Sequence, residues 1–245
     1  MLDLTQLLTR SLFRMCTRIK RRFDLDTVRV EIEEILTPAS SGEITQHGTH
    51  LWPSSVVLAA ALHRMGVCRG KRVLELGCGC GLPGLVAAYS AVDTILTDGY
   101  QEGMAAARHS IATNVLPNPI RVEKLEWGDP DGVAELNLNG GLDVILAADC
   151  LYPDVAGWPS FFYTVAVLLR DNPRAALFMT FHKRNSFCSI DPFIKHWKMS
   201  LEQIPLSSID LDDEEDIGGT ALPGPNTGSI QLYRITSAGS QSTVS

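Results

Sequence analysis

The chain has 245 residues, of which 45% are hydrophobic and 20% charged, a composition ordinary for one globular α/β domain. Its formal charge of -7 argues against general nucleic-acid binding, which needs a positive surface to neutralise phosphates, and favours basic protein partners. No apolar run approaches the roughly 18 residues of a membrane-spanning helix and no secretory signal opens the chain, so we expect a soluble, unsecreted protein.

Residues 1–50 are predicted to form an N-terminal extension that contains a helix and a β element. Leucines recur at helical spacing within residues 1–22, which predicts a packed leader helix. Two targeting roles are the alternatives: a mitochondrial presequence for this segment, or a nuclear address in the basic run from Arg18 to Arg22. Apolar and charged residues then alternate over residues 27–35, the period of a half-buried strand.

Strand and helix signals alternate through residues 51–236, which we predict to form the main domain, followed by a disordered tail at residues 237–245. The predicted elements are helices at residues 54–65, 82–90, 101–113, 160–169 and 187–199, and strands at residues 72–76, 94–97, 120–125, 143–148, 175–181 and 229–235. Because helices supply the crossovers that parallel strands require, this alternation predicts an α/β, Rossmann-like, mostly parallel sheet with helices on both faces.

The cysteines are scattered and lack the paired Cys-x-x-Cys spacing of zinc sites. Cys78 and Cys80 flank a glycine in a predicted tight loop, where small buried loop residues are favoured over a metal pair. We therefore expect reduced thiols and no metal at Cys16, Cys68, Cys78, Cys80, Cys150 and Cys188.

The run from Val73 to Gly81 is the most informative segment, because an apolar strand ends there in alternating glycines. Glycine lets a ligand approach the backbone closely at the carboxyl edge of a sheet, so a nucleotide-like ligand is implied. From Gly79 the chain also matches the dinucleotide fingerprint, which makes a nicotinamide or flavin enzyme an alternative. Glu75 would repel a pyrophosphate but could hold the ammonium group of a methionine moiety, and so favours S-adenosylmethionine.

Two later residues suit an adenosine ligand. Asp98 ends the next predicted strand, where a carboxylate can accept hydrogen bonds from both ribose hydroxyls, although nicotinamide enzymes use the same device. The alternative role for Asp98 is that of N-cap for the helix that follows. Trp127 follows the third strand of the domain, and its flat ring could cover adenine. The alternative is that Trp127 packs in the hydrophobic core.

The segment Ala148-Asp149-Cys150-Leu151-Tyr152 ends the fourth predicted strand and places an acid and an aromatic residue beside the reacting group. Methyl transfer is an in-line displacement, for which an enzyme mainly positions a nitrogen and excludes water. We expect Asp149 to orient an amine or a guanidinium through charge-assisted hydrogen bonds, and Tyr152 to wall the site. These are the candidate catalytic residues.

With these segments in hand, the chain resembles the seven-strand (class I) protein methyltransferases that carry an Asp-x-x-Tyr motif, typified by the calmodulin-lysine and related lysine methyltransferases. The matching segments begin, in order, at Leu51, Glu75, Leu125 and Ala148. The resemblance implies a sheet of seven strands, S-adenosyl-L-methionine as cofactor and a protein substrate. It also implies that the cofactor is contacted by Trp52, Gly77, Cys78, Gly79, Asp98, Trp127 and Ala148.

Later segments, beginning at Trp197, Ile204, Glu215 and Leu222, resemble a branch of this family that is regarded as methylating histone arginines in the nucleus and cytoplasm. The likeness implies a histone arginine as acceptor, a histone as partner and a nuclear and cytoplasmic location. Tyr152 and Cys150 instead resemble the lysine-methylating relatives, and that branch has an apolar aromatic residue at the position of Tyr152. Arginine and lysine therefore both stay open as acceptors.

Acidic residues bear on the substrate in two places. The acidic run at residues 210–216 could attract a basic histone tail, or could be a solvated loop. A guanidinium needs paired carboxylates to orient it, and Asp149 would find its second carboxylate in Asp154 or Glu126. Three hypotheses follow: a protein-arginine or protein-lysine methyltransferase, a nicotinamide-binding oxidoreductase, and an inactive scaffold that binds the cofactor.

Overall fold

The computed structural model describes residues 17–36, 48–136, 138, 141–152, 155–183, 189–209 and 230–239. Several sequence predictions lie outside these residues: the leucines of the leader segment, Cys16, Cys188, Asp154, the acidic run at 210–216 and the end of the tail. Within the described part of the chain, no helix has the length and apolar character needed to cross a bilayer.

An antiparallel hairpin of strands β1 (Thr17–Leu25) and β2 (Val28–Leu36) opens the described chain. The strand predicted at residues 27–35 is confirmed, but the helix predicted over residues 1–22 is wrong for its last part, which lies in β1. The physical reason is a period of two: Phe23 is buried on the same face as the half-buried Ile19 and Arg21, while their neighbours are exposed.

The basic run from Arg18 to Arg22 lies within β1, where its arginines form ion pairs. Arg18 pairs with Glu33, and the mostly buried Arg21 pairs with Glu34 at 2.8 Å. The side chains of Arg18 and Arg22 are about half exposed, and the location of the protein stays a prediction.

A second sheet of seven strands forms the centre of the molecule, in the order β5-β4-β3-β6-β7-β9-β8. Its strands are parallel except for β9, which runs antiparallel to both of its neighbours. The strands are β3 (Arg72–Leu76), β4 (Asp93–Asp98), β5 (Ile120–Lys124), β6 (Val144–Ala148), β7 (Ala176–His182), β8 (Met199–Ile204) and β9 (Ile230–Ser237). The predicted Rossmann-like, mostly parallel seven-stranded sheet is therefore confirmed.

Helices cover both faces of this sheet, as predicted. They are α1 (Pro53–Met65), α2 (Leu82–Ala87), α3 (Gln101–Thr113), α4 (Pro130–Glu135), α5 (Trp158–Asp171) and α6 (Asp191–His196). One core cluster joins α1, α2 and α3 to one face, and a second cluster joins α4, α5 and α6 to the other. Phe23 and Ile32 of the hairpin belong to the first cluster, so the N-terminal extension and the main domain share a core.

The structure corrects the predicted elements near the C-terminus. The helix predicted at residues 187–199 is the shorter α6, and Met199 begins β8, an edge strand that the sequence analysis missed. The chain changes direction at Lys198, whose φ of 51° lies in the left-handed region and cannot continue a right-handed helix. At the end of the described chain, β9 runs to Ser237, where a disordered tail was expected to begin.

The site is positioned by a reversal in the order of the strands. From β3 the chain proceeds outward to β4 and β5, then returns to place β6 on the other side of β3. Loops that leave the carboxyl ends of β3 and β6 diverge at such a reversal and open a crevice, where open α/β sheets bind their ligands.

Candidate active site

A cavity of about 630 Å³ lies outside the carboxyl ends of β3, β4 and β6. This volume is typical of small-molecule and cofactor sites, which span roughly 300–1,000 Å³. The structure brings every residue that was predicted for the site to the wall of this one cavity: Trp52, Glu75, Gly77, Cys78, Gly79, Asp98, Trp127, Ala148, Asp149 and Tyr152.

The glycine loop after β3 forms the floor of the cavity. Gly77 and Gly79 have φ values of 61° and 49°, which lie in the left-handed region that residues other than glycine rarely adopt. A Cβ on Gly77 would lie 2.9 Å from Cζ2 of Trp127 and 3.0 Å from Sγ of Cys150. The loop therefore needs glycine both for its conformation and for its space, and it leaves a cradle of bare backbone that suits a close-fitting ligand.

Glu75 supports this loop from beneath. Its side chain is buried, and Oε2 accepts a hydrogen bond of 2.8 Å from the amide of Gly84 in the first turn of α2. Burial raises the pKa of Glu75 to about 8, and the nearby charge of Asp98 adds to this, although the Gly84 amide opposes it. One oxygen of Glu75 is thus used to hold the loop, a contact that the sequence analysis did not foresee; its expected contact with a methionine ammonium stays a prediction.

Asp98 connects the glycine loop to the start of α3. Its Oδ2 accepts from the amide of Gly79 at 3.0 Å, and its Oδ1 accepts from the amide of Tyr100 at 2.9 Å. Burial raises the pKa of Asp98, while the hydrogen bonds from Tyr100 and Gly79 lower it. Tyr100 is the N-cap of α3 and no side chain caps this helix, so the alternative that Asp98 is the N-cap is wrong.

Two tryptophans form walls of the cavity. Trp127 is half-buried and meets Phe161 edge-to-face, with ring centroids 5.1 Å apart. It therefore fills both roles considered for it, since it packs on the core and also lines the cavity. Trp52 immediately precedes α1, and its ring lies edge-on to His50 at 4.8 Å.

Asp149 follows β6 in a conformation that is unusual for its residue type. Its φ is 54°, in the left-handed region, which costs an L-residue roughly 1–2 kcal/mol. The residue is only 4% exposed, and its amide donates to the carbonyl oxygen of Thr180 on β7 at 3.1 Å. Backbone strain of this kind is often found at functional sites, where the surrounding structure maintains it.

Tyr152 stands at the mouth of the cavity with 38% of its surface exposed. Its carbonyl oxygen accepts a hydrogen bond of 2.8 Å from Nε1 of Trp158, which fixes the backbone. Partial burial raises the pKa of the Tyr152 phenol, and the nearby carboxyl groups of Asp98 and Asp149 raise it further. The ring is therefore a neutral phenol at physiological pH.

The cysteines of this region are free thiols. Cys68, Cys78, Cys80 and Cys150 are all buried, and burial raises the pKa of each. In the part of the chain that the structure describes, no group of three His, Cys, Asp or Glu side chains could hold a metal. Cys150 donates to the carbonyl oxygen of Leu76 at 3.2 Å, which ties the end of β6 to the end of β3.

The sequence analysis did not assign His50, Cys80 or Tyr100 to the site, although all three line the cavity. It did propose Glu126, but not the ion pair that Glu126 forms with Lys124. His50 lines the cavity, although it belongs to no motif and lies in a turn-rich segment. Glu126, proposed as a second carboxylate for Asp149, also lines the cavity, but its side chain is exposed and pairs with Lys124 at 2.6 Å.

Comparison with known proteins agrees with this site. A family model described as lysine methyltransferase matches residues 33–196. The human histone-arginine methyltransferase METTL23 is 34% identical over 182 residues, which cover 73% of this chain and 93% of that protein. METTL23 of Xenopus laevis is 32% identical over 219 residues, covering 87% and 86%. The protein N-lysine methyltransferase METTL21A of Danio rerio is 36% identical over 105 residues, covering 42% and 47%.

Solved structures share the fold at lower identity. The 16S rRNA N2 G1207 methyltransferase RsmC of T. thermophilus, in complex with AdoMet and guanosine, superposes with a TM-score of 0.57 at 16% identity, covering 91% of this chain and 51% of that one. The ribosomal protein L11 methylase of Lactobacillus delbrueckii gives a TM-score of 0.52 at 15% identity, covering 76% and 78%.

The glycine cradle, the buried carboxylates at the ends of β3 and β4 and the size of the cavity fit S-adenosylmethionine. The nicotinamide-binding alternative and the inactive scaffold are wrong, because the matching family and the relatives are methyltransferases. The chain belongs to the lysine methyltransferase family of S-adenosylmethionine-dependent protein methyltransferases.

Proposed function

We propose that this protein transfers a methyl group from S-adenosylmethionine to a side-chain nitrogen of a basic protein, and that the acceptor is a histone arginine. The observation that carries the proposal is the buried, strained Asp149 beside the exposed ring of Tyr152 at one mouth of the cofactor cavity. Support for the acceptor comes from the human and Xenopus relatives, which are named histone-arginine methyltransferases and match most of the chain.

The chemistry asked of the protein is chiefly positioning. When bound, the cofactor supplies an electrophilic methyl group on a sulfonium. Asp149 would accept hydrogen bonds from the N–H groups of the incoming side chain, a charge-assisted contact that burial strengthens. Tyr152 would present the face of its neutral ring to the same cation. Both residues would hold the accepting nitrogen in line and restrict its motion, which supplies much of the rate increase in such transfers.

A lysine acceptor is the second candidate, and specific observations favour it. The matching family is described as lysine methyltransferase, and METTL21A, named as a lysine methyltransferase, matches at 36% identity. A guanidinium is best held by two carboxylates, whereas Glu126, the described candidate for the second one, already pairs with Lys124. A lysine ammonium would need only Asp149, and would lose a proton before reaction.

The test measures transfer from labelled S-adenosylmethionine to a panel of histones and calmodulin, with mass-spectrometric assignment of the modified side chain. Asp149→Asn is the critical variant, because asparagine also tolerates the left-handed backbone and so removes the charge while keeping the turn. We expect turnover to fall about a hundredfold or more, the loss typical of a mispositioned reactant, with cofactor affinity unchanged. Asp171→Asn, at an exposed ion pair at the end of α5, is the matched control and should retain activity.

The three outcomes differ clearly. Labelled arginine on a histone supports the proposal. Labelled lysine replaces it with the second candidate. Absence of transfer to every protein in the panel, in a preparation that binds S-adenosylhomocysteine normally, contradicts both proposed acceptors.

A further inference from the structure

Acidic residues outnumber basic residues on the wall of the cavity. Among the lining residues in the described chain, four have carboxyl groups, but His50 alone can carry a positive charge: the carboxyl groups are those of Glu75, Asp98, Glu126 and Asp149. The methionine end of S-adenosylmethionine carries an ammonium group, a sulfonium and a carboxylate. The acidic side chains of the wall suit the two cations, whereas the carboxylate of the ligand needs a donor from elsewhere on the wall.

His50 is held in place by a carboxylate that it shares with the N-terminal hairpin. Its Nδ1 lies 2.5 Å from Oε1 of Glu34, the same oxygen that accepts from the amide of Leu51 at 3.1 Å. The other oxygen of Glu34 accepts from Nε of Arg21 at 2.8 Å. Glu34 is fully buried, so this set of contacts fixes the ring orientation of a residue that lies on the cavity wall.

Glu34 remains ionised in this environment. Burial alone would raise its pKa, but the hydrogen bonds from His50, Arg21 and the Leu51 amide outweigh burial and lower the pKa to about 2. Because Nδ1 is used by Glu34, Nε2 is the ring nitrogen that is left to donate to a ligand.

The start of α1 adds a second favourable feature beside His50. This helix has 13 residues, and its first turn contains no acidic residue and no side-chain cap. Trp52 and Ser55, which flank the helix start, line the same cavity as His50. The amino end of a helix carries partial positive charge and stabilises anions, so both features favour a carboxylate at this place.

We propose that His50, oriented by Glu34, binds the carboxylate of the methionine moiety of S-adenosylmethionine. His50 is then a cofactor-binding residue, and Glu34 is a positioning residue that acts through it from the hairpin. The inference rests on the cofactor alone and does not depend on whether arginine or lysine is the acceptor.

The experiment compares two ligands that differ only in the group concerned: S-adenosylmethionine and its decarboxylated analogue. Affinities of both are measured by calorimetric titration, without any protein substrate, for the wild type, His50→Gln, Glu34→Gln and His63→Gln. His63 is the matched control, because it also pairs with a carboxylate, that of Asp26 at 3.0 Å, but lies near the far end of α1 and outside the cavity wall.

We expect His50→Gln to weaken binding of S-adenosylmethionine about tenfold or more, the usual effect of losing a hydrogen bond to a charged group. Binding of the decarboxylated analogue should change less than about twofold. Glu34→Gln should likewise weaken the binding of S-adenosylmethionine more than that of the decarboxylated analogue. His63→Gln should change neither affinity. The side chain of His50 is 40% exposed, so its replacement does not require repacking of the core.

Equal weakening of both ligands by His50→Gln, or no change in either, would overturn the proposal. Loss of turnover with both affinities intact would also overturn it, and would assign His50 to the acceptor instead. Since no substrate protein is present, failure to identify the methylated protein leaves the outcome of this titration unaffected.

Discussion

Glycine at position 77 determines how closely a ligand can approach the end of β3. Gly66 can be compared with Gly77, because the two residues have nearly the same φ, 62° and 61°, but lie in different surroundings. A Cβ on Gly77 would crowd Trp127 and Cys150, whereas a Cβ on Gly66, at the end of α1, would meet nothing within 4 Å. Backbone strain and crowding of the cavity can therefore be separated by experiment.

We predict that Gly66→Ala lowers the free energy of unfolding by about 1–2 kcal/mol, because it forces alanine into the left-handed region. Gly77→Ala should lower it by more than this, since its Cβ would also crowd Trp127 and Cys150. Only Gly77→Ala should also weaken S-adenosylhomocysteine binding, by about tenfold or more, since Trp127 must shift. Urea denaturation and calorimetric titration measure the two effects. Equal cofactor affinity in the two variants would refute the assignment of Gly77 to the ligand cradle.

The N-terminal hairpin is the element that the sequence analysis placed least well, and it is the element that holds Glu34. Leucine spacing in residues 1–22 indicated a helix, while tertiary packing of β2 against α2 and α3 favours a strand pair. From Thr17 onward a strand forms because the alternating side chains bury an apolar face that a single helix would not match.

We predict that the hairpin makes the stability of the protein sensitive to acid. The pKa of Glu34 is about 2 in the folded protein, against a usual value of 4.5. Because the folded pKa is the lower one, this carboxylate stabilises the fold fully above about pH 4.5, and the contribution is lost as the pH falls towards 2. From the size of the shift, the contribution is about 3 kcal/mol.

Glu34→Gln should therefore be less stable than the wild type at pH 7, and the difference should shrink as the pH falls from 4.5 towards 3. Denaturant unfolding across this pH range measures it. Glu31→Gln, at an exposed position of the same strand, is the control and should follow the wild type. A constant difference between Glu34→Gln and the wild type at every pH would show that the charge of Glu34 does not stabilise the fold.

At the scale of the whole molecule, the cavity is lined by segments that lie between Gly48 and Ser160 in the chain, so a bound cofactor should stabilise the fold. A ligand at about one hundred times its dissociation constant adds about 2.7 kcal/mol to stability. For a chain of 245 residues we expect S-adenosylhomocysteine to raise the Tm by about 5–10 °C at that concentration. NAD at the same concentration should produce no shift, and a shift with NAD alone would contradict the assigned cofactor. Differential scanning calorimetry provides the measurement.

Local signals in the sequence were sufficient for much of this protein. The alternation of strands and helices predicted the Rossmann-like sheet, because apolar periodicity and glycine loops are properties of short segments. The same is true of Gly77, Gly79 and Asp98, which stand at fixed places beside strand ends. By contrast, the sequence analysis missed α4 and β8. Helix α4 is short, although Asp129 and Pro130 are a normal helix start. Strand β8 lies at the edge of the sheet, and its alternation of buried and exposed residues is weak.

The sequence by itself determined the fold class, the cofactor and the residues at the carboxyl ends of β3, β4 and β6. Only the tertiary structure decided what surrounds them: that Glu75 holds the amide of Gly84, that Asp149 adopts a left-handed backbone, and that Glu34 reaches His50. The physical reason is the range of the interactions. A strand and its loop are encoded locally, whereas a buried carboxylate obtains its partners, and hence its charge state, from segments that meet only when the chain folds.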